Sequence, residues 1–403
     1  MANVTPIRPA RRADLRAYGE PYRFAMGGAL AVGILLIVGF LLLIAWNGIG
    51  TFWPGPIEAL TLRDGTVLAG EPTRSESFRP SEDQLASVSP AERAAIDANG
   101  GSIERHLYRI ANFDLYNEDF RWISESAITK RETPADLWFL ERVEWGPFIG
   151  RLVRADLAGT RVEGAALAGP ELRSAYASAR ERFAELRRLE RKEIGAVNRA
   201  IERERLGVRR VELRSGTGTP AYAERQADAE RKIGQLRQEY ETFAARVSEL
   251  RAEDARYLLT VADVAGREKE IPLSLVTRYY APNALGAAGK LGVYASRWRE
   301  FLVEEPREAN TEGGVLPAIF GTAAMTLLMV IAVAPFGVIT ALYLREYAKQ
   351  GRLVSIVRIS VNNLAGVPSI VYGVFGLGFF AYTVGGSIDQ LFYPERLPSP
   401  KTP

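Results

Sequence analysis

FAMGGALAVGILLIVGFLLLIAW, from Phe24 to Trp46, contains no charged residue. At about 1.5 Å per residue such a run crosses a hydrocarbon core about 30 Å thick, which predicts a transmembrane helix over residues 24–46. Five arginines precede it (Arg8, Arg11, Arg12, Arg16 and Arg23), and an excess of basic residues marks the cytoplasmic flank of a span. Residues 1–23 are therefore expected to be a basic cytoplasmic tail. Trp46, Phe52 and Trp53 follow where an outer interfacial belt belongs. A cleaved signal peptide needs a shorter apolar core and a small-x-small site, and neither is in this text, so the span is expected to persist as an anchor.

Two more uncharged runs lie near the other end, Gly313–Leu344 and Ile359–Ile388, with spans expected at about 317–344 and 362–384. Between them REYAKQGRLVSIVR carries Arg345, Lys349, Arg352 and Arg358 against one acid, Glu346. A short basic loop of this kind belongs in the cytoplasm. Both basic clusters then agree on one path: in to out, a large extracytoplasmic segment over 47–312, out to in, a basic turn, and in to out again. Pro317, Pro335 and Pro368 and the small residues Gly366, Ser369, Gly373, Gly376 and Gly378 sit in the second and third spans. Proline in a membrane helix needs neighbours that satisfy the freed carbonyls, and small residues permit close helix approach, so a helical bundle is expected.

Charge is segregated. Of the 403 residues, positions 1–57 hold seven charged side chains and 313–403 hold nine, while 83 of the 99 lie between, as 40 Lys and Arg against 43 Asp and Glu. The absence of cysteine excludes disulfides, thiolate nucleophiles, iron–sulfur clusters and Cys-based zinc sites. The single histidine, His106, excludes a multi-histidine metal centre, and a net charge of +3 is too small to point to nucleic acid. The composition predicts no enzyme active site and no cofactor.

Within the polar middle, Ala229, Ile233, Leu236, Tyr240, Phe243, Val247 and Leu250 step by alternating fours and threes. This is an a/d heptad seam. Leu172, Tyr176, Ala179, Phe183 and Leu186 begin a matching arm, and Ile194, Val197 and Ile201 continue it after a break in phase. SGTGTP (Ser215–Pro220) lies between the arms. An antiparallel coiled-coil hairpin over 170–256 is expected, about 50 Å long at helical rise. Thr61–Glu71, with Asp64-Gly65 at its centre, predicts a β-hairpin, and Leu137–Gly159 and Tyr257–Tyr280 predict strands with tight turns. The fold class expected is a mainly α membrane protein with an external α+β domain that carries the hairpin as an insertion. Leu273–Phe301, with Tyr294 and Trp298, is expected to form a stalk helix leading back to the membrane.

Two motifs imitate nucleotide sites. LGAAGKL (Leu285–Leu291) lacks the leading glycine and the Ser or Thr of a phosphate loop, since Ala284 and Leu291 occupy those places. Gly373, Gly376 and Gly378 lie inside an apolar run with no preceding strand, so they are packing glycines. One polar set has chemistry. At 100° per residue Arg358, Asn362 and Ser369 fall within about 40° on one helix face. Such a stripe is an anion-facing candidate; alternatively Arg358 snorkels to headgroups while Asn362 and Ser369 bond neighbouring helices. There is no catalytic or metal-ligating set to add.

The blocks NTEGGVLPAIFGTAAMTLLMVIAVAPFGVITALYLREYAKQG (Asn310–Gly351), RISVNNLAGVPSIVYGVFGLGFF (Arg358–Phe380) and GGSIDQLFYPERLPSP (Gly385–Pro400) resemble the opening of the membrane domain of PstA-type permeases of bacterial phosphate ABC importers. The anchor and the coiled-coil insert resemble the enlarged subclass of that family. The resemblance implies a permease subunit in the bacterial inner membrane that forms part of a phosphate pathway. It also implies a related permease subunit as heterodimer partner, a cytoplasmic ATPase dimer and a periplasmic phosphate-binding protein. Permeases of this family continue through further helices and a cytoplasmic coupling loop, and neither follows here, so the chain is expected to be a truncated permease. A membrane-anchored coiled-coil scaffold or sensor, and a permease for another oxyanion, are the alternatives.

Overall fold

The computed structural model describes residues 20–81, 93, 96, 100–307, 312–364 and 366–397. Most of the basic tail, including Arg8, Arg11, Arg12 and Arg16, lies outside the described residues. Helix α1 (Glu20–Thr51) contains the first apolar run and extends it at both ends. Its stretch Tyr22–Thr51 is long and apolar enough to cross a membrane.

Two antiparallel sheets follow. The first joins β1 (Glu58–Leu62), β2 (Val67–Phe78), β3 (Ile103–Arg109), β4 (Phe120–Ser124) and β5 (Ile128–Glu132) in the order β4-β3-β2-β1-β5. The β1–β2 turn forms where Asp64-Gly65 predicts it. Thr66 N donates to Asp64 Oδ1 at 2.8 Å, and Gly65 takes the positive φ of 82° that the turn requires. Between β3 and β4 lies the short helix α2 (Phe113–Tyr116). The second sheet has β6 (Trp138–Arg142), β7 (Phe148–Leu157), β9 (Tyr257–Ala262), β10 (Glu268–Pro272) and β11 (Val276–Tyr280) in the order β10-β9-β7-β6-β11, with β8 (Thr160–Glu163) paired to β7. Leu140, Phe148, Ala155, Leu259 and Val261 form its main core, with Leu172 and Ala179 of the next helix packed in.

β7 and β9 are sheet neighbours, in register from Arg151↔Ala262 to Leu157↔Tyr257, although the long helical insertion separates them in sequence. That insertion is α3 (Pro170–Arg188), a π-helical turn (Leu189–Ile194), α4 (Gly195–Ser215) and α5 (Pro220–Asp254). The break in heptad phase has a structural cause. Leu186 should be followed seven residues on, at Glu193, but the apolar residue is Ile194. The π-helical turn absorbs the extra residue and returns the stripe to the seam, where Leu189, Val247 and Leu250 are buried with Leu186, Ile194 and Phe243 against them. Gly216 (φ 78°) ends α4, and Thr219 with Pro220 starts α5 by accepting from Tyr222 N.

The expected stalk helix over Leu273–Phe301 is replaced by two elements. Its first part is β11, because Val276–Tyr280 is β-branched and aromatic and pairs with β6, and Pro282 separates it from α6 (Ala287–Val303). The two-residue ladder β12 (Pro306–Arg307) with β13 (Glu312–Gly313) then leads into α7 (Leu316–Leu342). α7 continues through a π-helical turn to Tyr347. The third apolar region is not one helix from 362 to 384. α8 (Arg352–Leu364) ends before Pro368, and α9 (Ser369–Gly376), a π-helical stretch and α10 (Gly385–Phe392) form the span Ser369–Phe392. Proline disfavours helix in the residue before it, which places the break. Helices long and apolar enough to span number three among the described residues, with 0%, 0% and 6% of their apolar windows buried. The expected bundle is therefore not formed within the described residues, and the span surfaces stand open to lipid or to other chains.

Candidate functional site

The densest chemistry lies where the globular part meets the span ends. α6 descends along β11 and β6 toward the start of α7. Arg297 donates to the Tyr280 hydroxyl at 2.5 Å, and Arg278, two residues nearer the strand start, reaches Glu300, nearly a turn farther along α6, at 2.7 Å. Arg278 and Arg297 both pair with Glu141 of β6, the latter at 2.8 Å. Glu300 also takes Arg307 at 2.5 Å, and Arg109 pairs with Glu312 at 2.9 Å. Arg297 additionally donates to the carbonyl of Phe52, the residue that follows α1, at 3.2 Å. Phe52 stacks edge-on against Trp298 (4.9 Å) and lies 5.1 Å from Phe301, while Trp53 faces Tyr294 at 5.7 Å.

Arg109, Glu141, Arg297 and Glu300 among these groups line a cavity of about 480 Å³ together with Thr51, Phe52, Pro147, Arg307, Gly314 and Val315. Gly314 is confined there. A side chain on it would meet the carbonyl oxygens of Glu304 and Glu300, the latter at 2.6 Å. Val315 N donates to Phe301 O at 2.8 Å, so the start of α7 is bonded to the end of α6. Burial opposes the charge on Arg297, yet Glu141 more than offsets this and holds the guanidinium above its ordinary pKa. Burial pushes the Tyr280 phenol up. The lining sets three guanidiniums against four carboxylates counting Glu71, and Arg278 from outside the lining pairs with two of those carboxylates, so the junction as a whole balances four charges of each sign and offers no surplus positive charge to draw in an anion. Its chemistry is that of an interlock: charge pairs from both sheets, α6 and the β12–β13 ladder converge on the ends of α1 and α7.

A second contact ties the helical hairpin to the membrane segments. Arg191, on the π-helical turn, pairs with Glu305, and Arg210 of α4 binds the buried Glu395, after the third span, through Nη2 at 2.7 Å and Nε at 3.2 Å. From 191 to 210 is about 28 Å of helix. The hairpin thus runs between the connection that starts α7 and the end of the third span.

Arg358 and Asn362 are on α8, whereas Ser369 opens α9 beyond the break, so the three do not share one helix. Arg358 donates to the carbonyl of Leu344 at 3.3 Å, across the basic turn. His106 is held by Ser75 Oγ (2.7 Å) and Glu125 (3.0 Å), as a satisfied surface histidine. LGAAGKL forms the cap and first residues of α6, with Gly286 at the N-cap. Among the described residues no three His, Cys, Asp or Glu side chains gather to hold a metal ion. The interlock has no motif because its charges are scattered from Glu71 to Glu312; its one local signal is the apolar-charged text YASRWREFLVEE (Tyr294–Glu305).

Sequence comparison adds what geometry does not. The chain is 33% identical over 99 residues to the phosphate transport system permease protein PstA 1 of Mycobacterium tuberculosis, which is 25% of this chain and 32% of that one. It is 37% identical over 82 residues to the probable ABC transporter permease protein YqgH of Bacillus subtilis, covering 19% and 26%. A third relative, the phosphate transport system permease protein PstC of Mesorhizobium japonicum, is 30% identical over 115 residues, covering 26% and 35%. A quarter of this chain is ABC-permease-like. The chain spans about a third of the length of the curated relatives it matches. No family model matches, and no solved structure matches. With three apolar helices of spanning length, this partial similarity supports a membrane protein.

Proposed function

We propose that the chain is a membrane subunit of an ATP-driven importer of inorganic phosphate in the bacterial inner membrane, contributing part of the translocation pathway and no catalysis. The observation that carries this reading is the similarity to permeases named for phosphate transport in a chain with three apolar helices of spanning length. In this reading a related permease subunit completes the pathway, a cytoplasmic ATPase dimer drives it, and a periplasmic phosphate-binding protein feeds it. The N-terminus and the turn Arg345–Arg358 are cytoplasmic, residues 47–312 are extracytoplasmic, and α3–α5 are a coiled-coil hairpin lying over the outer ends of the spans. The test is uptake of radiolabelled phosphate and sulfate by native host cells with the gene deleted and restored. Loss and recovery of phosphate uptake alone supports the proposal; loss of sulfate uptake transfers it to another oxyanion.

A second reading, a membrane-anchored scaffold or sensor, draws on the extent of the matches, which reach only 19–28% of the chain. Unchanged uptake of both anions in the deletion strain, with no ATPase co-purifying with the tagged protein, would favour it.

A further inference from the structure

Five non-glycine residues among those described have a left-handed backbone, and four of them, Ala111 (φ 53°), Asn112 (57°), Asn117 (56°) and Trp145 (68°), fall on two loops, 111–119 and 143–147. Such backbone persists where surrounding contacts over-determine it, and it clusters at functional places. The contacts are present. Asn112, itself buried, exchanges two side-chain hydrogen bonds with the backbone of Ile149, at 2.7 and 2.9 Å, and its N–H donates to Pro147 O at 3.1 Å. The buried Arg142 donates to Trp145 O (2.7 Å) and Gly146 O (2.8 Å) while pairing with Asp114 at 3.0 Å. The two loops are bolted into one unit.

That unit holds large aromatic side chains out of the fold: Trp145 is 55% exposed, Phe120 50% and Phe113 37%. Shared partners bring them together, since one guanidinium binds both Trp145 O and Asp114, and Gly146 lies beside Asp119. Their height is fixed by two observations. Pro147 shares the junction cavity with Thr51, Phe52 and Val315, where two spans end. β6 runs alongside α6 toward those ends, from Phe139, paired with Tyr280, to Glu141, paired with Arg278, and the 143–147 loop lies beyond it.

We propose that Trp145, Phe113 and Phe120 form an aromatic foot that inserts into the headgroup layer of the bilayer beside the span ends. Trp has an apolar body and a polar N–H, which suits that layer, and continuity with the spans makes lipid the occupant. The nearby charges are acidic or paired: Glu144 is exposed, and Glu118 is matched by Arg121. The foot therefore holds by apolar insertion and does not depend on anionic lipid.

The chain has no cysteine, so single spin labels report without background. Full-length Trp145→Cys and, separately, Phe113→Cys are labelled and reconstituted in phosphatidylethanolamine vesicles with and without phosphatidylglycerol. Collision with oxygen and with a nickel chelate is compared with Leu36→Cys, on the apolar surface of α1, and Thr160→Cys, at the start of β8 beyond the far end of β7. The expected oxygen-to-nickel ratio at 145 and 113 lies above that at 160 and below that at 36, as headgroup depth requires, and is the same in both lipids. A ratio equal to that at 160 overturns the foot, as does exclusion of both reagents, which would mean a protein covers the patch. If the label at 36 is also nickel-accessible, the membrane reading itself fails, a result distinguishable from loss of the foot alone.

Discussion

Glu300→Ala strikes the interlock at its most buried carboxylate. The Glu300 side chain is 8% exposed and accepts from Arg278 and Arg307. After truncation Arg278 keeps Glu141, but Arg307, whose side chain is 10% exposed, loses the carboxylate that pairs with it. Breaking a buried pair by removing one partner costs about 3–5 kcal/mol, because a desolvated charge is left uncompensated. For a unit of this size each kcal/mol moves the melting temperature by about 2–4 °C, so a fall of about 6–20 °C is expected. The exposed pair Arg246–Glu185, with side chains 43% and 34% exposed, serves as control, and Glu185→Ala should cost below about 1 kcal/mol. Thermal unfolding of the full chain in detergent, followed by tryptophan fluorescence, reads both, with Trp298 two residues from the altered site. Combining Glu300→Leu with Arg307→Met removes both charges and should restore most of the loss, since a packed apolar pair replaces a desolvated ionic one. A single variant that melts with the surface control, or a double variant no more stable than the single one, would refute the claim that charge pairing holds this junction.

Two further outcomes are expected. The Arg210 guanidinium holds the Glu395 carboxyl below its ordinary value of 4.5; the contact is therefore complete above that value and is lost as pH falls through the lowered one. Spin labels at Leu213→Cys and Leu391→Cys should give one narrow distance distribution at neutral pH that broadens on acidification, and Arg210→Ala should broaden it at every pH; a distribution indifferent to both would remove the contact. Arg358→Gln should leave the half-saturation concentration for phosphate unchanged in uptake assays, because Arg358 is engaged with Leu344 O across the basic turn; a tenfold rise would instead place the guanidinium against the anion.

Legibility in the sequence followed the range of the interaction. Asp64-Gly65, the heptad steps of α5 and the charge-free stretch in α1 are local signals, and each produced its element. The phase slip after Leu186 was visible too, but its cause, a π-helical turn, needed the partner seam at Val247 and Leu250. β11 lies where two expectations overlap, strand over Tyr257–Tyr280 and stalk helix from Leu273, and its pairing with β6, over a hundred residues earlier, decides for strand. The strands β3, β4, β5 and β8 carry no clear alternation of their own; β8 pairs with β7 just before it, so distance does not account for its weak signal. The stripe of Arg358, Asn362 and Ser369 assumed an unbroken helix that Pro368 does not allow. The junction had no sequence signal of its own, since its eight charges belong to segments that only the fold assembles.

The interlock and the hairpin together answer a mechanical problem that the spans create. Among the described residues the spans bury almost none of their apolar windows, so nothing within them fixes where their ends stand. The polar middle supplies that constraint twice. At one end Arg297 grips the carbonyl of Phe52 while Val315 bonds to Phe301, which sets α1 and α7 against a common helix. At the other, α3 runs along β11, with Tyr176 donating to Thr277 O and Arg180 to Ser274 O; the π-helical turn after it meets Glu305 through Arg191, and α4 delivers Arg210 to Glu395. A rigid helical arm of about 28 Å between those two contacts fixes a separation that flexible loops would leave free. Because the arm is an insertion between neighbouring strands, its base moves with the second sheet, and its far contact moves with the third span. Any rotation of the sheet about the junction must therefore appear, lengthened by the arm, at Glu395.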